Sequence, residues 1–337
     1  MTDWGDVVVR TKGLAGHLLM PAQLAPLCTA RGVGALATQM IALGLVPPPA
    51  PGATLDEHAL ELALRRRAGA RLRILARWAG RRAEYLAPLF DDEDRRAVRA
   101  LVRGAAAGIA PELRLAGLIP TTALPLRALD QLSRAGDVAA IGALLLAWRH
   151  PLGAAVAGEA ARQTLDLFQV ETAIARAFAA RVRRAARRAD AAMRHFVERS
   201  IDLENLWAAM VIAGQHADVD PAVVFIEGGA LVTVADLQLA ADTQNPADLA
   251  AALAPRVRQT PLADALAAAP RPADDAALHA LVAEFRARAR REPLGLAPVI
   301  HFALRQRAEL RSLLRIIWSI SLGVPGAVIQ GAVGAAA

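Results

Sequence analysis

The chain has 337 residues, of which 55% are hydrophobic and only 4% aromatic, and its formal net charge is +7. This length is two or three times that of an ordinary domain, which excludes a single small module. Alanine and leucine carry most of the apolar content, and both favour helices because they lose little rotamer freedom there. The composition therefore predicts a folded, mainly helical protein and excludes disorder for most of the chain.

The basic residues are almost all arginine, because Lys12 is the single lysine among 39 basic residues. This bias resembles a compositional preference, and the 32 acidic residues are interleaved with the arginines. Three interpretations stay open: solvated helix faces, an interface in which arginines pair with a partner's carboxylates, or nucleic-acid binding. The last normally needs stacking aromatic residues, and the chain has one tyrosine and seven phenylalanines.

Targeting signals are weak at both ends of the sequence. The first ten residues lack the basic-then-apolar order of a signal peptide. Cys28 is the single cysteine, which excludes an intramolecular disulfide. Residues 316–337 are free of charge, but a Gly-Val-Pro-Gly break at 323–326 makes them a poor membrane span. We expect a cytoplasmic chain with a buried helix that ends at Gly323, then a short final element and an apolar tail.

The usual catalytic motifs are missing from the sequence. The seven histidines are scattered, with no pair spaced three or four residues apart to bind one metal. Neither a nucleophile elbow nor a phosphate-binding loop occurs, and the glycines at 32 and 34 follow no predicted strand. The sequence thus predicts a non-catalytic protein with no cofactor, no metal and no small-molecule substrate.

An internal repeat is the most informative feature. Asp94, Asp202 and Glu309, the three landmark acids, are separated by 108 and 107 positions, and residues four, seven and eight positions after each acid are apolar. Residues 118–124 also match residues 225–231 at a shift of 107. These agreements predict three helical units of about 107 residues, with boundaries at 1–115, 116–226 and 227–337.

A long helix is predicted upstream of each landmark acid. The first spans 55–89, the second 174–197, and the third 278–291 followed by 298–320. Pro- and Asn-containing linkers are predicted at 47–52, 245–246 and 270–272. Only 7–9 and 230–234 suggest β-structure, and both are too short to build a sheet.

Two roles are open for the landmark acids. A like-charged trio around a pseudo-threefold axis could select a basic partner, or each acid could be structural. Asp202, with Ser200, lies before an apolar run and suits a helix start. Glu309 has no helix breaker before it, so we expect it to pair with Arg305 or Arg315.

Several segments together resemble a known family. Residues 293–304 and 309–317 resemble the C-terminal signature of the C-type subunit of archaeal and bacterial A/V-type ATPases, the relative of the eukaryotic d-type subunit. Residues 9–14, 201–206 and 226–231 also look like that family. The pattern departs from it at Ala97 and Ser312, where the first and third units lack the typical asparagine that Asn205 supplies in the second.

The resemblance implies an all-α funnel of three similar domains arranged with pseudo-threefold symmetry. It implies a non-catalytic central-stalk rotor subunit, peripheral at the cytoplasmic face of the membrane, that joins the central shaft subunits to the proteolipid ring and so couples ion transport to ATP hydrolysis or synthesis. No nucleic acid is expected as a partner. The predicted structural or interface positions are Asp94, Asp202, Asn205, Glu309 and Arg315.

Two other functions remain open at this point. A helical-repeat scaffold of another cytoplasmic complex would share every feature of the pattern, and only its partners would differ. An arginine-rich nucleic-acid-binding protein would instead bind with an affinity that falls steeply with salt.

Overall fold

The computed structural model describes residues 4–215, 220–243, 245–267 and 274–334. Within these ranges the regular secondary structure is helical and no strand occurs, so the predicted all-α class is confirmed. The predicted linker at 270–272 lies outside the described residues.

The helices follow one another through short connections. In chain order the α-helices are α1 Gly5–Ala15, α2 Pro21–Leu24, α3 Val33–Ala42, α4 Glu57–Ala79, α5 Ala87–Ala106, α6 Pro111–Ala116, α7 Leu126–Ser133, α8 Val138–Ala147, α9 Gly153–Ala160, α10 Leu167–Ala186, α11 Ala191–Gln215, α12 Pro221–Val224, α13 Val234–Asp242, α14 Pro246–Val257, α15 Pro261–Ala267, α16 Asp274–Arg291, α17 Ala297–Ser321 and α18 Gly326–Gly334. Two 3-10 helices span Ala25–Thr29 and Gly80–Leu86.

Polar residues cap several of these helices. The carboxylate of Asp56 accepts a hydrogen bond from the Ala59 amide at 2.7 Å, and Asp137 does the same for Ala140 at 2.7 Å. Asp166 caps α10 by accepting from the Phe168 amide at 2.8 Å. Such caps satisfy amides that the first helical turn leaves unpaired, and each is worth about 0.5–2 kcal/mol.

The predicted single helix over 55–89 is wrong. Helix α4 ends at Ala79 because Gly80 adopts a φ of 56°, which cannot continue a right-handed helix. A 3-10 turn then leads into α5, which carries the first landmark acid.

The predicted helix over 174–197 is also interrupted, although neither glycine nor proline lies within it. Helix α10 ends at Ala186, and α11 begins at Ala191. One carboxylate oxygen of Asp190 accepts from the Met193 amide at 3.0 Å, while the other accepts from the Leu296 amide at 2.8 Å. Capping by Asp190 therefore starts a new helix and fixes the connection before α17.

Three smaller expectations also fail. Residues 7–9, which suggested β-structure, lie inside α1, and 230–233 form a loop before α13. Asp202 lies in the middle of α11 and does not start a helix. In the third unit, α16 and α17 agree with the predicted pair of helices.

The apolar positions that follow the landmark acids lie in the core of the fold. All nine residues at positions four, seven and eight after the landmark acids are at most 3% exposed. They are Val98, Leu101, Val102, Leu206, Ala209, Met210, Leu313, Ile316 and Ile317. Helical periodicity alone identified these buried positions correctly.

The two ends of the described chain share one part of this core. Leu36 and Met40 of α3 belong to the same buried cluster as Ile316 and Ile317 of α17. Helix α18 packs against the 3-10 helix at 25–29, and a Cβ on Gly326 would lie 2.9 Å from the Cys28 carbonyl oxygen. The expected break at Gly323 and the short element after it are confirmed.

None of the described helices is long and apolar enough to cross a bilayer.

Candidate functional site

The three landmark acids lie in the interiors of three long helices, α5, α11 and α17. Asp94 is 2% exposed, Asp202 0% and Glu309 8%. A buried carboxylate is costly unless it is paired and hydrogen-bonded, so the contacts of each acid show what it does.

Asp94 binds the loop that precedes α7. Its Oδ1 atom accepts from the Thr121 hydroxyl at 2.5 Å, and Thr121 Oγ1 in turn accepts from the Leu124 amide at 2.9 Å. The other oxygen lies 3.6 Å from Nε2 of His150. Asp94 thus fixes a loop through one oxygen and faces an imidazole with the other.

Asp202 binds the loop that precedes α13. Its Oδ1 atom accepts from the amides of Leu231 at 2.9 Å and Val232 at 3.2 Å, and its Oδ2 lies 3.1 Å from Nη1 of Arg199. A Cβ on Gly229 would lie 2.3 Å from Asp202 Oδ1, so this approach requires glycine. The acid organises a distant loop, which is why it is not a helix cap.

Glu309 binds a loop near the beginning of the chain. Its Oε1 atom accepts from the Leu19 amide at 2.8 Å, and Oε2 lies 3.0 Å from Nη1 of Arg71. The predicted pairing with Arg305 or Arg315 is wrong, because Arg71 of α4 is closer in space although 238 residues away in sequence.

The other two predicted positions, Asn205 and Arg315, also make contacts within the fold. The amide side chain of Asn205 donates to the Ile226 carbonyl at 2.8 Å and accepts from the Ile226 amide at 2.9 Å. Arg315 Nη1 donates to the Ala332 carbonyl at 3.2 Å and so ties α17 to α18. Asn205 and Asp202 therefore hold two parts of the same loop.

A central cavity of about 420 Å³ lies where the three landmark helices approach one another. Its walls come mainly from α5, α11 and α17, with α4, α16 and the loop at 117–119 completing them. The lining contains seven arginines and three acids, and Glu61 and Glu171 behind the wall pair with Arg65 and Arg103, which leaves an excess of two positive charges. These charged residues are Arg65, Arg95, Arg96, Arg99, Arg103, Arg307, Arg311, Asp92, Glu93 and Glu204.

Ion pairs join the helices around the central cavity. Arg95 of α5 contacts Asp92 at 2.5 Å and also pairs with Glu204 of α11. Arg307 of α17 lies 2.7 Å from Asp92, and Arg99 lies 2.7 Å from Glu204. The network therefore connects α5 to both other landmark helices through charges that are mostly buried.

The arrangement keeps its carboxylates ionised. Burial raises the pKa of Asp92, but the charges of Arg96, Arg307 and Arg95 outweigh it and hold that pKa well below its usual range. Burial likewise opposes ionisation of Glu204, yet Arg95 and Arg99 lower its pKa to about 2. Both acids remain charged at any physiological pH.

Aromatic rings support two of these arginines. The guanidinium of Arg95 lies 4.7 Å from the ring centroid of Phe178, and that of Arg99 lies 5.5 Å from the ring of Trp207. Planar guanidinium groups stack well on aromatic faces while they pair with carboxylates. The walls of the cavity are therefore held on two sides, by ion pairs and by rings.

Sequence reasoning missed this network, although a signal was present. Residues 91–96 place four acids and two arginines in succession beside the apolar stripe of a predicted helix. Charges so close to a buried face indicate paired buried groups, but the partners Glu204 and Arg307 lie more than a hundred residues away.

No group of three or more histidine, cysteine, aspartate or glutamate residues among the described residues has the geometry to hold a metal ion. Charged side chains that line the central cavity pair with one another. The cavity therefore provides a shaped and charged surface that ion pairs hold rigid.

Comparison with known proteins agrees with the resemblance seen in the sequence. A family model described as ATP synthase (C/AC39) subunit matches residues 7–332, nearly the whole chain. Comparison with curated proteins gave no match. Since the family match extends from α1 to α18 and covers all three landmark helices, the chain belongs to the C/AC39 family of A/V-type ATP synthase subunits.

Proposed function

We propose that the chain is a non-catalytic rotor subunit of the central stalk of an A/V-type ATPase. In this role it sits at the cytoplasmic face of the membrane and joins the central shaft to the proteolipid ring. The observation that carries the proposal is the central cavity, where the three landmark helices meet around an excess of positive charge. Such walls suit the acidic end of a shaft protein.

The contacts of the landmark acids support three similar domains around a pseudo-threefold axis. One carboxylate oxygen of each acid accepts a hydrogen bond from a loop that leads into a helix. The other oxygen faces a cationic or imidazole group. In the third unit this loop comes from the start of the chain, as expected for a closed ring of three units. We therefore retain domains at 1–115, 116–226 and 227–337 as part of the proposal.

A subunit that transmits torque must resist twisting, and the ion pairs around the central cavity provide this resistance. Arg95, Arg99 and Arg307 connect different helices through buried contacts, which a relative rotation of the helices would break. Separating a buried pair leaves an uncompensated charge and costs about 3–5 kcal/mol. The same pairing makes these arginines less suited to bind nucleic-acid phosphates.

Affinity capture from native membranes tests the proposed assembly. The tagged chain is isolated after mild detergent solubilisation, and bound proteins are identified by mass spectrometry. We expect a proteolipid together with shaft and head subunits of a rotary ATPase. Their absence, from membranes shown to contain an intact rotary ATPase, would overturn the proposal in favour of a scaffold of another complex.

Charge variants then test the cavity itself. Arg96→Gln combined with Arg311→Gln removes two positive charges from the cavity wall, and we expect shaft binding to weaken about tenfold while ring binding is retained. Arg184→Gln is the matched control, since Arg184 is exposed on α10 and does not line the cavity. Equal shaft binding by the wild type and both variants would place the shaft interface elsewhere.

A further inference from the structure

A second concentration of positive charge lies on the outside of the fold. Helices α1, α16 and α17 enclose an outer pocket of about 400 Å³. Four permanent cations line it: Lys12 from α1, Arg286 and Arg290 from α16, and Arg305 from α17. No acidic residue lines this pocket among the described residues.

No acid in the described part of the chain neutralises these cations. Among the described residues, no carboxylate forms an ion pair with Lys12, Arg286, Arg290 or Arg305. Arg305 makes a weak contact with the sulfur of Met20 at 3.6 Å, which brings no negative charge. The central arginines, by contrast, are paired with acids.

The spacing of the charges works against stability of the isolated chain. Arg286 and Arg290 are four residues apart on α16. Like charges at this spacing lie on the same helix face and destabilise the helix. No described carboxylate offsets this repulsion between the arginines. Such an arrangement is expected where a bound ligand supplies the missing negative charge.

His301 reports the resulting positive potential. Burial and the charges of Arg305, Arg286 and Arg290 lower its pKa to about 4. Its Nε2 atom is buried and has no hydrogen-bond partner in the described part of the chain. The imidazole is therefore neutral at physiological pH although it lies in a wall of the pocket.

The floor of the pocket is apolar. Pro298 and Phe302 of α17 are buried beneath it, and Ala15 and Ala289 contribute small side chains. The hydroxyl of Thr11 donates to the Val7 carbonyl at 2.7 Å and is already used. A small hydrated anion would leave this apolar surface uncovered, whereas an anion with an attached hydrocarbon would cover it.

We propose that the outer pocket binds a phosphate-bearing amphiphile of net negative charge, with its phosphate between Lys12, Arg286 and Arg290 and its hydrocarbon against the apolar floor. Charge-assisted hydrogen bonds from arginine suit phosphate oxygens, and a volume of about 400 Å³ is in the range of small-molecule sites. The proposal does not depend on the proposed function, because it rests on the chain's own residues.

Calorimetric titration of the full chain tests the assignment. The probes are monomeric dihexanoyl phosphatidic acid, inorganic phosphate and dihexanoyl phosphatidylcholine. We expect phosphatidic acid to bind more tightly than both other probes. Inorganic phosphate binding equally well would overturn the role of the apolar floor, and phosphatidylcholine binding equally well would overturn the role of the cations.

A variant pair separates the pocket from general electrostatic attraction. Arg286→Gln combined with Arg290→Gln should lower the affinity for phosphatidic acid by about tenfold or more. Both residues are exposed, so the variant is expected to fold. Arg184→Gln removes an exposed arginine outside the pocket and should bind normally; equal losses in both variants would contradict the proposal.

The imidazole of His301 gives a second readout that does not depend on affinity. A bound phosphate would offset the charges of Arg305, Arg286 and Arg290, and of Lys12 on the facing helix. We therefore expect saturating phosphatidic acid to raise the pKa of His301 from about 4 toward its ordinary value, as followed by NMR. A pKa unchanged under saturation would overturn the proposed location.

Discussion

The central cavity and the outer pocket are both rich in arginine but use it in opposite ways. In the central cavity, Arg95 and Arg307 pair with buried acids of neighbouring helices. In the outer pocket, Arg286 and Arg290 pair with no acid among the described residues. The first arrangement holds helices together, whereas the second concentrates an unbalanced charge around an apolar floor.

A count of basic residues therefore says little about their function. The net charge of +7 is a property of the whole chain, but interaction energy depends on which charges lie within a few ångströms of one another and how far water is excluded. Paired arginines contribute to structure, and unpaired ones that share a pocket mark a site for an external anion.

The largest expected effect concerns the paired centre. Asp92→Ala should destabilise the fold by about 3–5 kcal/mol, because Arg95 and Arg307 would lose a buried partner. Thermal or denaturant unfolding measures the loss. Asp130→Ala is the control, since its pair with Arg134 is exposed and is expected to contribute little to stability. Equal losses of stability in the two variants would show that the buried central ion pairs stabilise the fold no more than an exposed pair does.

A second test uses low pH to break the ion pairs of Glu204 at the central cavity. The pKa of Glu204 is lowered to about 2 in the fold, so its stabilisation is present above pH 4.5 and is lost as the pH falls toward 2. Glu204→Gln should therefore cost about 3 kcal/mol at pH 7 and almost nothing near pH 2, as measured by unfolding at several pH values. Glu227→Gln, whose side chain is 78% exposed, should show no such pH dependence.

A third test concerns the loop that Asp202 binds. Gly229→Ala should destabilise by about 1–3 kcal/mol, because the new Cβ would lie 2.3 Å from Asp202 Oδ1 and displace the carboxylate from the loop amides. Gly158→Ala is the matched control, since nothing lies within 4 Å of its Cβ and α9 favours alanine there. Stability equal to the wild type in Gly229→Ala would refute the close contact.

The smallest expected effect belongs to the unpaired outer pocket. Because the pKa of His301 is lowered to about 4 in the fold, the unfolded chain takes up the proton first and the folded state loses stability as the pH falls from 6.5 toward 4. His301→Asn removes this loss and should gain about 1 kcal/mol at pH 5 relative to pH 8. A stability difference between the variant and the wild type that does not change with pH would argue against the burial of His301 among positive charges.

Much of the fold follows from local pattern. The nine apolar positions after Asp94, Asp202 and Glu309 were identified from helical spacing, and the break at Gly323 from residue type. The helix ends at Ala79 and Ala186 were missed. At Ala186 the deciding contact joins Asp190 to the distant Leu296 amide, and no local signal reveals such a contact.

The candidate sites were predicted less completely. The five predicted positions all make contacts within the fold, yet the residues that bind one another at the centre include Asp92 and Glu204, which were not among the predicted positions. The outer pocket was not predicted at all, because Lys12 is 274 residues before Arg286 and neither stands out in its own segment.

The all-helical class, the buried face of each landmark helix and the family can be predicted from the amino-acid sequence, because these depend on residue types at short, regular spacing. The partner of each charge, by contrast, is set by the folded arrangement of the helices. Glu309 pairs with Arg71 rather than with a neighbour on its own helix, and Arg286 pairs with no acid among the described residues. Ion pairing depends on separations of a few ångströms between side chains from distant parts of the chain, and folding alone sets those separations.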